Sequence, residues 1–207
     1  MQGSRLSTLA DPGIRAESLA CRRGDRLLFR GLSFTLGAGE ALHVTGANGS
    51  GKTTLMRALA GLTRPYAGFV HYAGPVGLLD ERTALDPDLP LARALAFWTR
   101  IDGGAAEDAR EALGLERLLD VPVRYLSTGQ RKRAGLAVLL ARNVPIWLLD
   151  EPLSGLDTSA IAQVTDLIAE HVRGGGIALV ASHQRLEIAG LQTLAIEEYA
   201  PEPERAA

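Results

Sequence analysis

The chain has 207 residues, 46% of them hydrophobic, with 22 Lys and Arg against 24 Asp and Glu for a formal net charge of −2. That length suits one domain with a substantial core, or a core plus a small subdomain, and the balanced charge excludes a strongly basic nucleic-acid binder. A single cysteine, Cys21, and the lack of any run near about 18 apolar residues exclude an internal disulfide framework, a multi-cysteine metal site and a bilayer-spanning segment, so a reducing cytosol is the expected compartment.

Residues 1–14 carry Gly, Ser, Asp and Pro rather than an apolar stretch, and are expected to be a disordered leader rather than a signal peptide. From Glu17 to Gly68 the pattern predicts short strands, with Leu28, Leu32, Phe34 and Leu36 in period-two alternation. Ala41 to Thr45 predicts a strand running into a Gly-rich turn, Gly46 to Gly51. A helix follows with Leu55, Leu59 and Leu62 at near-helical spacing, ended by Gly61 and Pro65. Strand patterning then stops. Residues 80–125 open with a Pro-rich run and continue as Ala/Leu/Arg segments around Leu91–Ile101 and Ala105–Leu119, which predicts a helical subdomain. Ile146 to Leu149 predicts a buried strand, Thr158 to Val172 an amphipathic helix, and Ile177 to Ala181 another buried strand. Strands alternating with helices mean a mostly parallel sheet covered on both faces. The expected organisation is a core from 15–79 and 126–200, a helical subdomain at 80–125, and a disordered tail at 201–207.

Three motifs carry chemistry. Gly46-Ala47-Asn48-Gly49-Ser50-Gly51-Lys52-Thr53, followed by Thr54, fits G-x-x-x-x-G-K-[ST] between a strand and a helix. Such a loop turns backbone N–H groups inward around phosphate oxygens, and the helix N-terminus favours the same anion. Lys52 is placed to reach the β and γ phosphates and the Thr53 hydroxyl to ligate Mg2+. The strand Ile146 to Leu149 ends in Asp150 and Glu151. Acidic residues commonly follow strands as loop solubilisers; beside a phosphate loop, Asp150 would hold Mg2+ and Glu151 would orient or deprotonate an attacking water. Leu126-Ser127-Thr128-Gly129-Gln130 precedes Arg131-Lys132-Arg133 and an apolar helix, with Ser127 or Thr128 as its cap and the cations on its solvated side. Only two of the 22 cations are lysines, Lys52 and Lys132, and both fall inside these motifs.

The order of phosphate loop, L-S-x-G-Q, strand-Asp-Glu and a later histidine resembles the ATP-binding cassette (ABC) ATPases from about Leu19 to Ala195. The resemblance implies an α/β P-loop NTPase fold with a mostly parallel core and a small helical subdomain, with ATP and Mg2+ bound. By that likeness Gly46 to Thr54 is the nucleotide loop, Ser127, Gly129 and Gln130 form the signature acting in trans, and Ser154-Gly155-Leu156-Asp157 is the D-loop. Glu151 and His183 are then the catalytic residues, and Thr53 and Asp150 the metal ligands. The family works as a head-to-tail dimer of cassettes, so Ser127 and Gly129 of one would face the γ-phosphate on Lys52 of the other. His43 reads as a packing residue, and His71 and His171 carry no motif.

Two departures stand out. Where the family stacks adenine on an aromatic ring, this chain has Arg22-Arg23-Gly24, an Arg plane being able to stack on a base. Where the family has a glutamine before its helical part, this chain has Leu79-Asp80-Glu81-Arg82, so Asp80 or Glu81 would replace it. The short cassette, His183-Gln184, and the opening from Leu19 to Phe34 resemble the ATP-binding subunits of bacterial haem exporters in cytochrome c maturation. That implies a peripheral ATPase on the cytoplasmic face of the inner membrane, bound to integral membrane subunits and not to nucleic acid. Leu85, Leu89, Leu91, Phe97 and Trp98 are either a groove for a membrane subunit's helix or the core of the helical part itself. An exporter of another substrate, a soluble non-transport ABC ATPase and an inactive scaffold remain as alternatives. The single cassette, the lack of heptads and the absence of a basic stripe speak against the soluble class.

Overall fold

The computed structural model of the chain describes residues 13–80, 83–102 and 106–201. β1 (Gly13–Arg23) and β2 (Arg26–Gly37) form an antiparallel hairpin, and β1 also pairs with β4 (Ala67–Ala73), giving a sheet of order β2-β1-β4. Gly13 and Ile14, expected to fall in a disordered leader, instead begin β1. They pair with Gly37 and Leu36, and Ile14 is buried because its side chain joins the core beneath this sheet. Residues 1–12 and 202–207, where the leader and tail otherwise fall, lie outside the described residues.

The second sheet holds β3 (Ala41–Thr45), β5 (Val76–Leu79), β6 (Ile146–Asp150), β7 (Ile177–Ala181) and β8 (Gln192–Ala195) in the order β5-β6-β7-β3-β8. Every pairing in it is parallel. Successive side chains on a strand point to opposite faces, and here each face meets a different core. Ile146 and Leu148 join Leu42, Val44 and the side chains beneath the antiparallel sheet. Trp147 and Leu149 join the core on the other side. Both sides being apolar explains why β6 and β7 read as continuous hydrophobic runs rather than alternating ones. Fully burying each such Ile, Leu or Val contributes about 1.5–3 kcal/mol.

α1 (Lys52–Leu59) lies between the two sheets, burying Leu55, Met56 and Leu59. It is shorter than its apolar spacing predicts: Leu62 lies beyond its end and is exposed, because the chain turns at Gly61. On the opposite side α5 (Thr158–Arg173) buries Val164, Ile168 and Val172, with Ile161 and Leu167 packed at the margin. Asp157 caps it, its carboxylate accepting from Ala160 N at 2.8 Å.

Between β5 and β6 lie α2 (Leu91–Asp102), α3 (Ala106–Ala112) and α4 (Thr128–Arg142). The helix expected over Ala105–Leu119 breaks after Ala112, and only Glu116–Leu118 returns as a 3-10 turn. α4, which falls in the second core segment by sequence, packs against α2 and α3 as well as against β5.

Cys21 is buried in β1, which pushes its thiol up to about 11, mainly through desolvation. His171 stacks on Trp147 with ring centroids 3.8 Å apart, and burial lowers its pKa below the ordinary 6.5. A depressed pKa means that the unfolded chain binds the proton first. Stability from this group is therefore complete above pH 6.5 and is lost as pH falls through the folded value. We expect acidification from pH 7 to about 5 to lower the melting temperature less in His171→Phe than in the parent chain. Equal pH dependence in the two would contradict this.

Candidate active site

The parallel strands β3, β6 and β7 end at one edge of the second sheet, where open α/β sheets place their ligands. There β3 releases the chain into the loop 46–51, and α1 takes it up again. Gly46 has φ +151, and a Cβ on it would fall 2.6 Å from Ile196 Cγ2 and 2.8 Å from Ser50 Oγ, so no other residue fits. The N–H of Ala47 donates to the Glu197 carboxylate, which ties the loop to the 3-10 turn Ile196–Tyr199 after β8. Lys52 folds back over the loop. Its Nζ donates to Gly46 O at 2.7 Å and Ala47 O at 3.2 Å, and only 7% of the residue is exposed.

β6 delivers the two carboxylates. Asp150 closes the strand and is buried, whereas Glu151 takes a left-handed φ of +48 as the chain leaves the sheet. That conformation is uncommon outside glycine and clusters at functional sites. Glu151 Oε1 lies 4.0 Å from Lys52 Nζ, and its Oε2 lies 3.0 Å from His183 Nδ1 just beyond β7. Lys52, Glu151 and His183 thus form one continuous line of polar groups. Asn48, Lys52, Thr53, Thr54, Asp150 and Glu151 line a common cleft, with Arg23 at its side. A buried carboxylate and an accessible hydroxyl facing one cleft form an all-oxygen donor set that suits Mg2+ shared with phosphates.

α4 explains the spelling of its own start. Ser127 Oγ accepts from Gln130 N at 3.2 Å, while Gln130 Oε1 accepts from Ser127 N at 2.8 Å, a reciprocal capping box. Of the two expected caps, it is Ser127 that serves. Gly129 lies against the 154–157 segment, where an added Cβ would approach Gly155 O to 2.5 Å. Ser127, Gly129 and Gln130 do not line the cleft of their own chain. Lys132 Nζ donates to Asp150 O at 3.0 Å, so both lysines of the chain reach this cleft or the strand that forms it.

Several expected residues are placed differently from one another. Arg22 lies over the Tyr66 ring, 5.2 Å from its centroid, so Arg23 rather than Arg22 borders the cleft. Asp80 is ion-paired to Arg57 of α1 at 3.0 Å and does not line the cleft; Glu81 lies outside the described residues. Asp80 instead lines a groove of about 280 Å³ between β5, α2 and α4, together with Leu85, Trp98 and Arg142. Leu91 is core and Phe97 points outward, so neither lines that groove. His43 is buried in β3 with Nε2 3.0 Å from Ser182 O, and His71 is exposed near Glu17. Arg57 and Glu197 carried no sequence signal, since each belongs to an abundant class and meets its partner only through tertiary contact.

A family model for ABC transporters matches residues 29–154. The chain is 53% identical over 189 residues to the cytochrome c biogenesis ATP-binding export protein CcmA of Novosphingobium aromaticivorans, covering 91% of this chain and 98% of that one. It is 47% identical over 201 residues to the protein of the same name from Zymomonas mobilis, covering 96% and 91%. A solved bacterial Atm1-family ABC exporter with ATP bound has a TM-score of 0.77 at 21% identity, over 92% of this chain and 38% of that one, a likeness of fold alone. With the family model spanning more than half of its length, and relatives this similar over nearly all of it, the chain belongs to the ABC transporter family.

Proposed function

We propose that this chain is the ATP-hydrolysing subunit of a haem exporter serving cytochrome c biogenesis. The observation that carries the reading is its near-full-length likeness to the cytochrome c biogenesis ATP-binding export proteins. Among the described residues no helix is long and apolar enough to cross a membrane. Work on a transported molecule therefore calls for integral membrane subunits, with the cassette held peripherally at the cytoplasmic face of the bacterial inner membrane. In this reading the groove lined by Leu85, Trp98 and Asp80 would receive apolar side chains from a helix of such a subunit, and Arg57–Asp80 would link that groove to α1. Residues 80–125 then act as the helical part that meets the membrane subunits.

In this reading the backbone of Gly46 to Gly51 cradles the phosphates and Lys52 exchanges its loop carbonyls for β and γ oxygens. Thr53 and Asp150 would hold Mg2+, which would neutralise charge on the phosphates when bound. Glu151 accepts a proton from water as the water oxygen bonds to the γ-phosphorus. The bond from that phosphorus to its bridging oxygen breaks, and the electron pair leaves with ADP. His183, fixed against Glu151, keeps the carboxylate aimed and meets the γ-phosphate. In a homodimer with ATP bound, Ser127, Gly129 and Gln130 of the opposing cassette complete the site, presenting the N-terminus of α4 to the anion. Arg23 borders the base.

The test is a pull-down of tagged protein from native membranes in mild detergent. Recovery of integral haem-handling subunits is the expected result. Different integral proteins would replace the transported substrate, and ribosomes or DNA-repair proteins with nothing integral would overturn the transport reading.

A further inference from the structure

Lys132 stands apart chemically. It is one of only two ammonium groups in a chain that otherwise uses arginine, and, against the solvated side expected for it, it is only 4% exposed. Burying a charge is unfavourable unless hydrogen bonds compensate. The neighbouring Arg133 points elsewhere, donating to Leu113 O at 3.0 Å. The compact head of Lys132 reaches Asp150 O at 3.0 Å. The N–H of the same peptide group, on Glu151, donates to Ala181 O at 2.8 Å. One peptide plane is therefore gripped at both ends, and the residue directly after it is Glu151 with φ +48. The grip comes from β7 on one side and from α4, less than a turn beyond Gly129, on the other.

We propose that Lys132 is a positioning residue that ties the Asp150–Glu151 peptide, and so the aim of the Glu151 carboxylate, to the first turns of α4. This rests on the reading above, in which the N-terminus of α4 meets the nucleotide of the opposing cassette. Engagement at one site then reaches Glu151 of the other through Lys132. The compact ammonium suits this buried place beneath α4, whereas the broader guanidinium carries five donors in a rigid planar fork.

The test is steady-state hydrolysis and Mg2+–ATP binding by the full-length chain. Lys132→Met is expected to lower kcat about tenfold or more while KM and ATP affinity stay within about twofold. Lys132→Gln keeps an N–H donor on a shorter arm and is expected between Met and the parent. An unchanged kcat, or a parallel loss of ATP binding, overturns the proposal. If the Met variant does not fold, the Gln variant decides by the same split. Glu151→Gln serves as the control that separates the two claims. Full turnover in that control would sink the site assignment and this inference together, whereas a dead control beside an unimpaired Lys132→Met sinks only the inference.

Discussion

Glu151→Gln is expected to lower ATP turnover by about a hundredfold to ten-thousandfold, the range of a lost general base, while ATP still binds. Glutamine has the shape of glutamate and keeps a carbonyl near His183, whose Nδ1 lies 3.0 Å from Glu151 Oε2. It cannot take the proton of the attacking water. The phosphate loop and Asp150 are untouched by the change, so nucleotide and partner cassette remain bound. The variant should accumulate as an ATP-dependent dimer, seen by light scattering after size exclusion with Mg2+–ATP. Parental turnover in this variant would remove Glu151 from the mechanism.

Lys52→Ala acts one step earlier and should fail at binding. The ammonium sits over the loop on the Gly46 and Ala47 carbonyls, so its charge is already positioned where phosphate oxygens arrive. Charge-assisted hydrogen bonds contribute about 1.5–3 kcal/mol each, and losing two weakens ATP binding by about a hundredfold or more. Isothermal titration with Mg2+–ATP measures this, with thermal melting of the nucleotide-free chain as the control for folding. Undiminished affinity would contradict the assignment. The two variants also separate a working ATPase from an inactive scaffold, because a scaffold has no turnover for Glu151→Gln to remove.

The glycine-rich loop 46–51, the Asp150–Glu151 strand end and the capped start of α4 were legible because each is a local device. A phosphate loop needs glycines and a lysine within a few residues, and a capping box needs Ser127 and Gln130 three positions apart. Their spelling is enforced by the backbone around them. The rarity of lysine also marked Lys132 as unusual, although it gave no hint of the partner. β5 and β8, four residues each, and the largely exposed β4 escaped notice because so short a run, or one whose apolar residues do not sort by face, carries no readable period. Leu62 matched the helix spacing of α1 but lies past its end, since Gly61 turns the chain before another apolar position can be buried.

By itself, then, the sequence determined the family, the α/β class, the glycine-rich loop between β3 and α1 and the identity of the acidic and histidine side chains expected around it. Only the tertiary structure decided which of them meet. The strand order β5-β6-β7-β3-β8 brings β3, β6 and β7 side by side, and through them Lys52, Glu151 and His183, which are far apart along the chain. The tertiary packing as a whole also sent Asp80 to Arg57, Arg22 to Tyr66 and Lys132 to the Asp150 carbonyl. The physical reason is one of range. Turns, caps and loops are selected by the conformational preferences of neighbouring residues, whereas these pairings depend on how two apolar cores stack their layers, and many residue spacings are compatible with any one such stack.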